Sequence, residues 1–152
     1  MTRIDPMMGR ASFASSSDFS TVVTPMIDGV VLGFDFGARR IGVSIGNTLT
    51  RKARPLSTID VRQSAARWNE IESIVEQWQP QALVIGIPRH PDGTPHAMTV
   101  RCERFARQLE GRYQLPVERV DERYSSAVVE AADDVDAAAA TIILQQWFDS
   151  DA

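Results

Sequence analysis

The chain has 152 residues, 43% of them hydrophobic, and a formal net charge of −4 from 16 basic and 20 acidic side chains. That length suits one ordinary domain rather than two, and that apolar share excludes global disorder. No apolar run nears the roughly 18 residues that cross a bilayer, no signal-peptide pattern follows the early arginines, and one cysteine excludes a disulfide framework or a Cys-type zinc site.

A soluble, cytoplasmic protein is therefore expected. The acidic balance argues against a general nucleic-acid coat. Fifteen of the sixteen basic residues are nevertheless Arg, with Lys52 the single lysine, and Arg suits bidentate phosphate contacts.

Residues 1–28 hold a Ser-rich stretch and no sustained period, and read as a disordered tail with Met26 as an alternative start. Val30 to Phe36 is an apolar run containing one acid, Asp35, and predicts a buried strand. Gly37 to Arg40 is a tight turn, and Ile41 to Ile45 predicts a second, hairpin-paired strand. A third strand is expected over Pro55 to Ile59. Trp68, Ile71, Ile74, Val75 and Trp78 then recur at helical spacing, with Glu70, Glu72 and Glu76 turned outward, until Pro80 stops the helix.

Ala82 to Gly86 predicts a fourth strand, followed by a Pro/Gly loop from Pro88 to Pro95. The next helix carries Met98, Cys102, Phe105, Ala106 and Leu109 on one face, which makes Cys102 a buried core thiol. Arg101, Arg104, Arg107 and Arg112 lie on its other face. Arg101, Arg104 and Arg107 are candidates for nucleic-acid contact, or belong to a solvated surface partnered by Glu103 and Glu110. Pro116 to Val120 predicts a fifth strand. A last helix runs from about Asp136 to Phe148, with Ala139, Ile142, Ile143 and Trp147 on its buried side. The expected fold is α/β: a five-stranded mixed sheet, antiparallel in its first three strands and parallel afterwards, flanked by helices.

Three acids stand out. Asp35 sits among apolar neighbours, where an ionised carboxylate is costly unless a cation or a hydrogen bond from the Gly37 turn compensates it. Glu122 ends the fifth strand on the sheet edge where the first strand also ends, because the intervening connections are crossovers; it is alternatively a solvated partner of a neighbouring Arg. Asp136 precedes four alanines, which let its helix approach the sheet; an N-cap is its other reading. Three carboxylates from two strands and a helix suit a hard cation such as Mg²⁺ and phosphodiester hydrolysis. His90 and His96 lie in or beside the Pro/Gly loop and read as loop residues rather than ligands.

Four segments, in order, resemble one family. Leu32-Gly33-Phe34-Asp35-Phe36-Gly37 with Arg39-Arg40-Ile41-Gly42-Val43 resembles the opening motif of the YqgF/RuvX family. Val84-Ile85-Gly86-Ile87-Pro88 with Asp92-Gly93 resembles its second. Asp121-Glu122-Arg123-Tyr124-Ser125-Ser126 resembles its third, and Val135 to Ala140 with Ile143-Leu144-Gln145 its last. The resemblance spans about residues 30–149. It implies an RNase H-like nuclease domain over residues 29–152, Asp35, Glu122 and Asp136 as catalytic and metal-binding acids, and Mg²⁺ or Mn²⁺ as cofactor. It also implies a structured nucleic acid as partner, no membrane, and a monomer or weak homodimer. The implied role is maturation of the 5′ end of the 16S rRNA precursor in ribosome biogenesis, with Holliday-junction resolution as the alternative.

Beside that resemblance, Arg40 and Arg123 are the cations expected nearest the scissile phosphate. Ser125 and Ser126 are expected to donate to the nucleic-acid backbone or to cap a helix. Two departures stand against the pattern: Gly46-Asn47 replaces the family's Ser-Asp pair, and residues 127–135 are shorter than its basic segment there. A catalytically weak binding module is the second class of function these departures leave open. A phosphotransferase of the actin/hexokinase type is a third, disfavoured because such proteins close two lobes over nucleotide.

Overall fold

The structure is a computed structural model that describes residues 28–61, 64–122 and 135–150. The segment 1–27 lies outside the described residues. Asp28 is the first described residue, and its carboxylate accepts from the Thr48 hydroxyl at 3.3 Å. No described helix is long and apolar enough to cross a membrane.

The hairpin forms where β-branched and aromatic residues flank the Gly37 turn. β1 (Val30–Phe36) pairs antiparallel with β2 (Arg40–Asn47), and the turn is closed by the Gly37 N–H donating to the Arg40 carbonyl at 3.0 Å. β3 (Lys52–Asp60) pairs antiparallel with β2 and is longer than the sequence predicts. Its outer positions are exposed, so hydrophobic alternation does not mark them. As an edge strand it tolerates Pro55, which has no N–H to donate and sits at the register shift between Val43 and Ser44.

Two crossovers follow. α1 (Ser64–Trp78) leads to β4 (Ala82–Pro88), parallel to β1; α2 (Ala97–Tyr113) leads to β5 (Val117–Glu122), parallel to β4. The strand order β3-β2-β1-β4-β5 gives the mixed five-stranded sheet expected. α2 starts at an N-cap that the sequence did not reveal. His96 Nδ1 accepts from the Met98 N–H at 3.0 Å, and Thr99 Oγ1 accepts from the His96 N–H at 2.7 Å. His96 is thus a capping residue with its acceptor nitrogen engaged.

The sheet separates two cores. Leu32, Phe34, Ile41, Val43, Ile85 and Phe105 belong to the core under α1 and α2. Val31, Val84, Ile143, Leu144 and Phe148 belong to the core under α3 (Val135–Ser150). Cys102 is buried as expected. α3 buries Ala139 and Ile143 as expected, but its buried side is turned part-way from the predicted one: Ala140, Leu144 and Phe148 are buried beside them, whereas Ile142 and Trp147 are only half-buried. The reason is contact with glycine. A Cβ on Gly33 would lie 2.9 Å from Leu144 Cβ and 3.2 Å from the Ala140 carbonyl oxygen; one on Gly46 would lie 2.5 Å from the Phe148 ring. At Gly33, Gly42 and Gly46 the helix rests directly on strand backbone.

One polar bond pins that contact. The buried Ser44 hydroxyl donates to the Ala140 carbonyl at 2.7 Å. Ser44→Ala is expected to cost about 1 kcal/mol, the net value of a typical intramolecular hydrogen bond. The midpoint of a urea melt measures it, and an unchanged midpoint would mean the bond contributes nothing.

Candidate active site

Period-two alternation decides which side chains meet α3. Val31 and Gly33 face it on β1, so Asp35 does too; Gly42, Ser44 and Gly46 face it on β2, and Ala82, Val84 and Gly86 on β4. Asp35 pairs with Gly42 across the hairpin. A Cβ on Gly42 would fall 1.8 Å from the carbonyl oxygen of Asp136. The first turn of α3 therefore lies directly over the residue paired with Asp35.

The carboxylates respond to this placement. Burial and the neighbouring Asp136 charge push the Asp35 carboxyl up to about 6 from an ordinary 3.8. Among the described residues no hydrogen bond offsets that cost, and the Gly37 turn is closed by backbone alone. Asp136 is inside the helix's first turn rather than at its N-cap, because α3 already begins at Val135. Its carboxylate instead meets the Arg40 Nε at 2.9 Å. The Arg40 side chain is 61% exposed, so this surface pair contributes little and leaves Asp136 accessible to a stronger cation.

Glu122 ends β5, paired with Pro88 of β4. Its carboxylate reaches back over Gly86, where a Cβ would lie 2.7 Å from Oε1 and 2.6 Å from Ile143 Cδ1. Gly86 and Asp35 each follow one residue after the paired Ile85 and Phe34. Glu122 thus occupies the rim position next to Asp35, on the α3 face. Cys102, below the rim, is pushed up to about 12 by burial and by the charges of Asp35 and Glu122. That thiol is an inert core group.

The Asp136 charge acts on Asp35, whereas Glu122 is not among the charges that shift Asp35. Among the described residues, no three His, Cys, Asp or Glu are gathered into a ready-made metal cage. What the three carboxylates share is one rim, one face of the sheet and one chemistry. They are hard oxygen donors, one of them destabilised as an anion, and that donor set fits a hard divalent cation.

Arg123, Ser125, Ser126 and residues 127–134 of the short segment lie outside the described residues. Sequence reading missed the glycines that shape the site. Gly33, Gly42, Gly46 and Gly86 all fall inside strands, and a glycine there signals close approach of another backbone.

The family profile described as RuvX, Holliday junction resolvase, matches residues 29–150. A candidate pre-16S rRNA nuclease of Polynucleobacter necessarius is 47% identical over 131 residues, covering 84% of this chain and 87% of that one. Another from Paraburkholderia xenovorans is 48% identical over 130 residues, covering 80% and 89%. Among solved structures, T. thermophilus RuvC in complex with Holliday junction substrate aligns over 80% of this chain and 94% of that one, with 18% identity and a TM-score of 0.48.

Proposed function

The chain belongs to the RuvX family of Holliday junction resolvases, and from that premise we propose that it is a metal-dependent nuclease maturing the 5′ end of pre-16S rRNA. The carrying observation is the half-buried Asp35 under the first turn of α3, its carboxyl pushed up by desolvation and by the Asp136 charge. Asp35, Glu122 and Asp136 are the residues that would hold Mg²⁺ or Mn²⁺. Bound there, such an ion supplies Lewis-acid stabilisation of charge on the phosphoryl group.

The chain's own residues set the rest. Partial burial of Asp35 reduces the solvation of its charge, which strengthens its interaction with any cation. The Gly42 contact fixes Asp136 over the hairpin. The exposed Arg40 guanidinium has donors left beyond its bond to Asp136, which supports it as the contact proposed for a phosphate oxygen. Arg123, Ser125 and Ser126 are the further contacts proposed for the substrate backbone. The nuclease domain is proposed to span 29–152, acting in the cytoplasm as a monomer or weak homodimer.

Purified protein incubated with a 5′-extended 16S precursor fragment and Mn²⁺ or Mg²⁺ is expected to trim the extension. EDTA is expected to stop it. A four-way DNA junction run in parallel tests the reading that the family description favours. Cleavage of the junction without the RNA would replace the RNA assignment; cleavage of neither, with binding retained, would leave a binding module.

A further inference from the structure

α2 divides its charges between two sides. Glu103 and Glu110 both bind Arg119 of β5, at 3.1 and 3.0 Å. They do not partner the helix's own arginines. On the side towards α1, Arg101 and Arg112 make no ion pair among the described residues.

Those arginines rest on aromatic rings. Arg101 lies over Phe36 at 5.8 Å; Arg112 and Arg67 lie over Trp68 at 4.0 and 5.6 Å. Phe105 joins the two rings, with centroids 4.7 Å from Phe36 and 5.7 Å from Trp68. The result is a continuous aromatic spine that begins one residue from Asp35 and carries three guanidiniums. Stacking holds the guanidiniums in place, and those of Arg101 and Arg112 keep N–H donors available. The three charges are close enough to act on one another: burial, then Arg112 and Arg101, lower the proton affinity of Arg67. Such crowding of like charge is relieved by an anion. Arg101 and Arg112 are eleven helical residues apart, about 16 Å, so the anion that fits is extended and carries several charges. Glu72 and Glu76 line a cavity with Arg112 and Tyr113, and mark the far limit of the patch.

We propose that Arg67, Arg101 and Arg112 form a phosphate track that grips the nucleic-acid backbone as it leaves the acidic rim along the α1/α2 face. The track rests on the nuclease reading for its substrate, but its test is binding, not cleavage. Arg67 and Trp68 take the place of the Arg104 and Arg107 flank that sequence spacing suggested.

The experiment is fluorescence anisotropy in EDTA, with a structured RNA fragment and a four-way DNA junction, over a range of salt concentrations. The triple variant Arg67→Gln/Arg101→Gln/Arg112→Gln is expected to lower the slope of log affinity against log salt by about two to three. The control Arg104→Gln/Arg107→Gln is expected to lower it by less than about one. Should the triple variant fail to fold, Arg101→Gln alone, at an exposed position, is expected to lower the slope by about one. An unchanged slope in a folded variant, or no binding by the wild type, overturns the track. Wild-type cleavage with an unchanged slope would sink the track and spare the nuclease. A track-dependent slope without cleavage would do the reverse.

Discussion

Asp35→Asn is expected to lose cleavage by roughly a thousandfold, the scale seen when a preorganised electrostatic group is deleted, and to gain stability. The gain follows from the carboxyl's position. Its folded pKa is about 6 against an ordinary 3.8, so the folded state holds that proton more tightly than the unfolded one. The associated stability is fully present below about pH 3.8 and is lost as pH rises through about 6. At neutral pH the wild type has given up as much as about 3 kcal/mol that the Asn variant never loses. Denaturation in EDTA from pH 4 to 8 is the measurement: the two proteins' stabilities should separate across pH 4–6 and stay apart above it. Adding Mn²⁺ at pH 7 should raise the melting temperature of the wild type and leave the variant unmoved. Equal cleavage by both would place the chemistry elsewhere. A wild type as stable as the variant at pH 7 in EDTA would mean that Asp35 ionises without strain.

Gly42→Ala should be among the most damaging single methyl groups that can be added to this protein. The new Cβ would sit 1.8 Å from the Asp136 carbonyl oxygen, 2.2 Å from its carbon and 2.9 Å from the Ala137 nitrogen. These are backbone atoms, so no rotamer change relieves the clash; the first turn of α3 must lift. Overpacking of a core usually costs about 1–3 kcal/mol, and a backbone clash belongs at the top of that range or above. Lifting that turn also carries Asp136 away from Asp35, so cleavage should fall even in molecules that remain folded. Gly111→Ala is the matched control. A Cβ there meets nothing within 4 Å, and replacing a helical glycine should stabilise by about 0.5–1 kcal/mol. Urea midpoints of the two variants should move in opposite directions. A neutral Gly42→Ala would show that α3 does not hold its position through that contact.

Much of the fold is legible because period and punctuation agree. Val30 to Phe36 alternates onto two cores, Pro80 and the Pro/Gly loop end elements, and the crossovers put β1 and β5 in parallel. The extra length of β3 was hidden because its outer residues face solvent and no burial pattern constrains them. Of the apolar stripe that the sequence marks on α3, Ala139 and Ile143 are buried, but Ile142 and Trp147 yield their place to Ala140, Leu144 and Phe148. Glycines on β1 and β2, distant in sequence, decide which stripe the sheet accepts.

The sequence by itself determined the mixed sheet, antiparallel first and parallel afterwards, and the rim on which Asp35 and Glu122 end, since strand direction and side-chain alternation follow from local chemistry. Only the tertiary structure decided that Asp136 leans on Arg40, that Glu122 lies over Gly86, and that Arg67 joins Arg101 and Arg112 across two helices. Those relations depend on how closely separate backbones approach, and that distance is set by which side chains are absent at the contact.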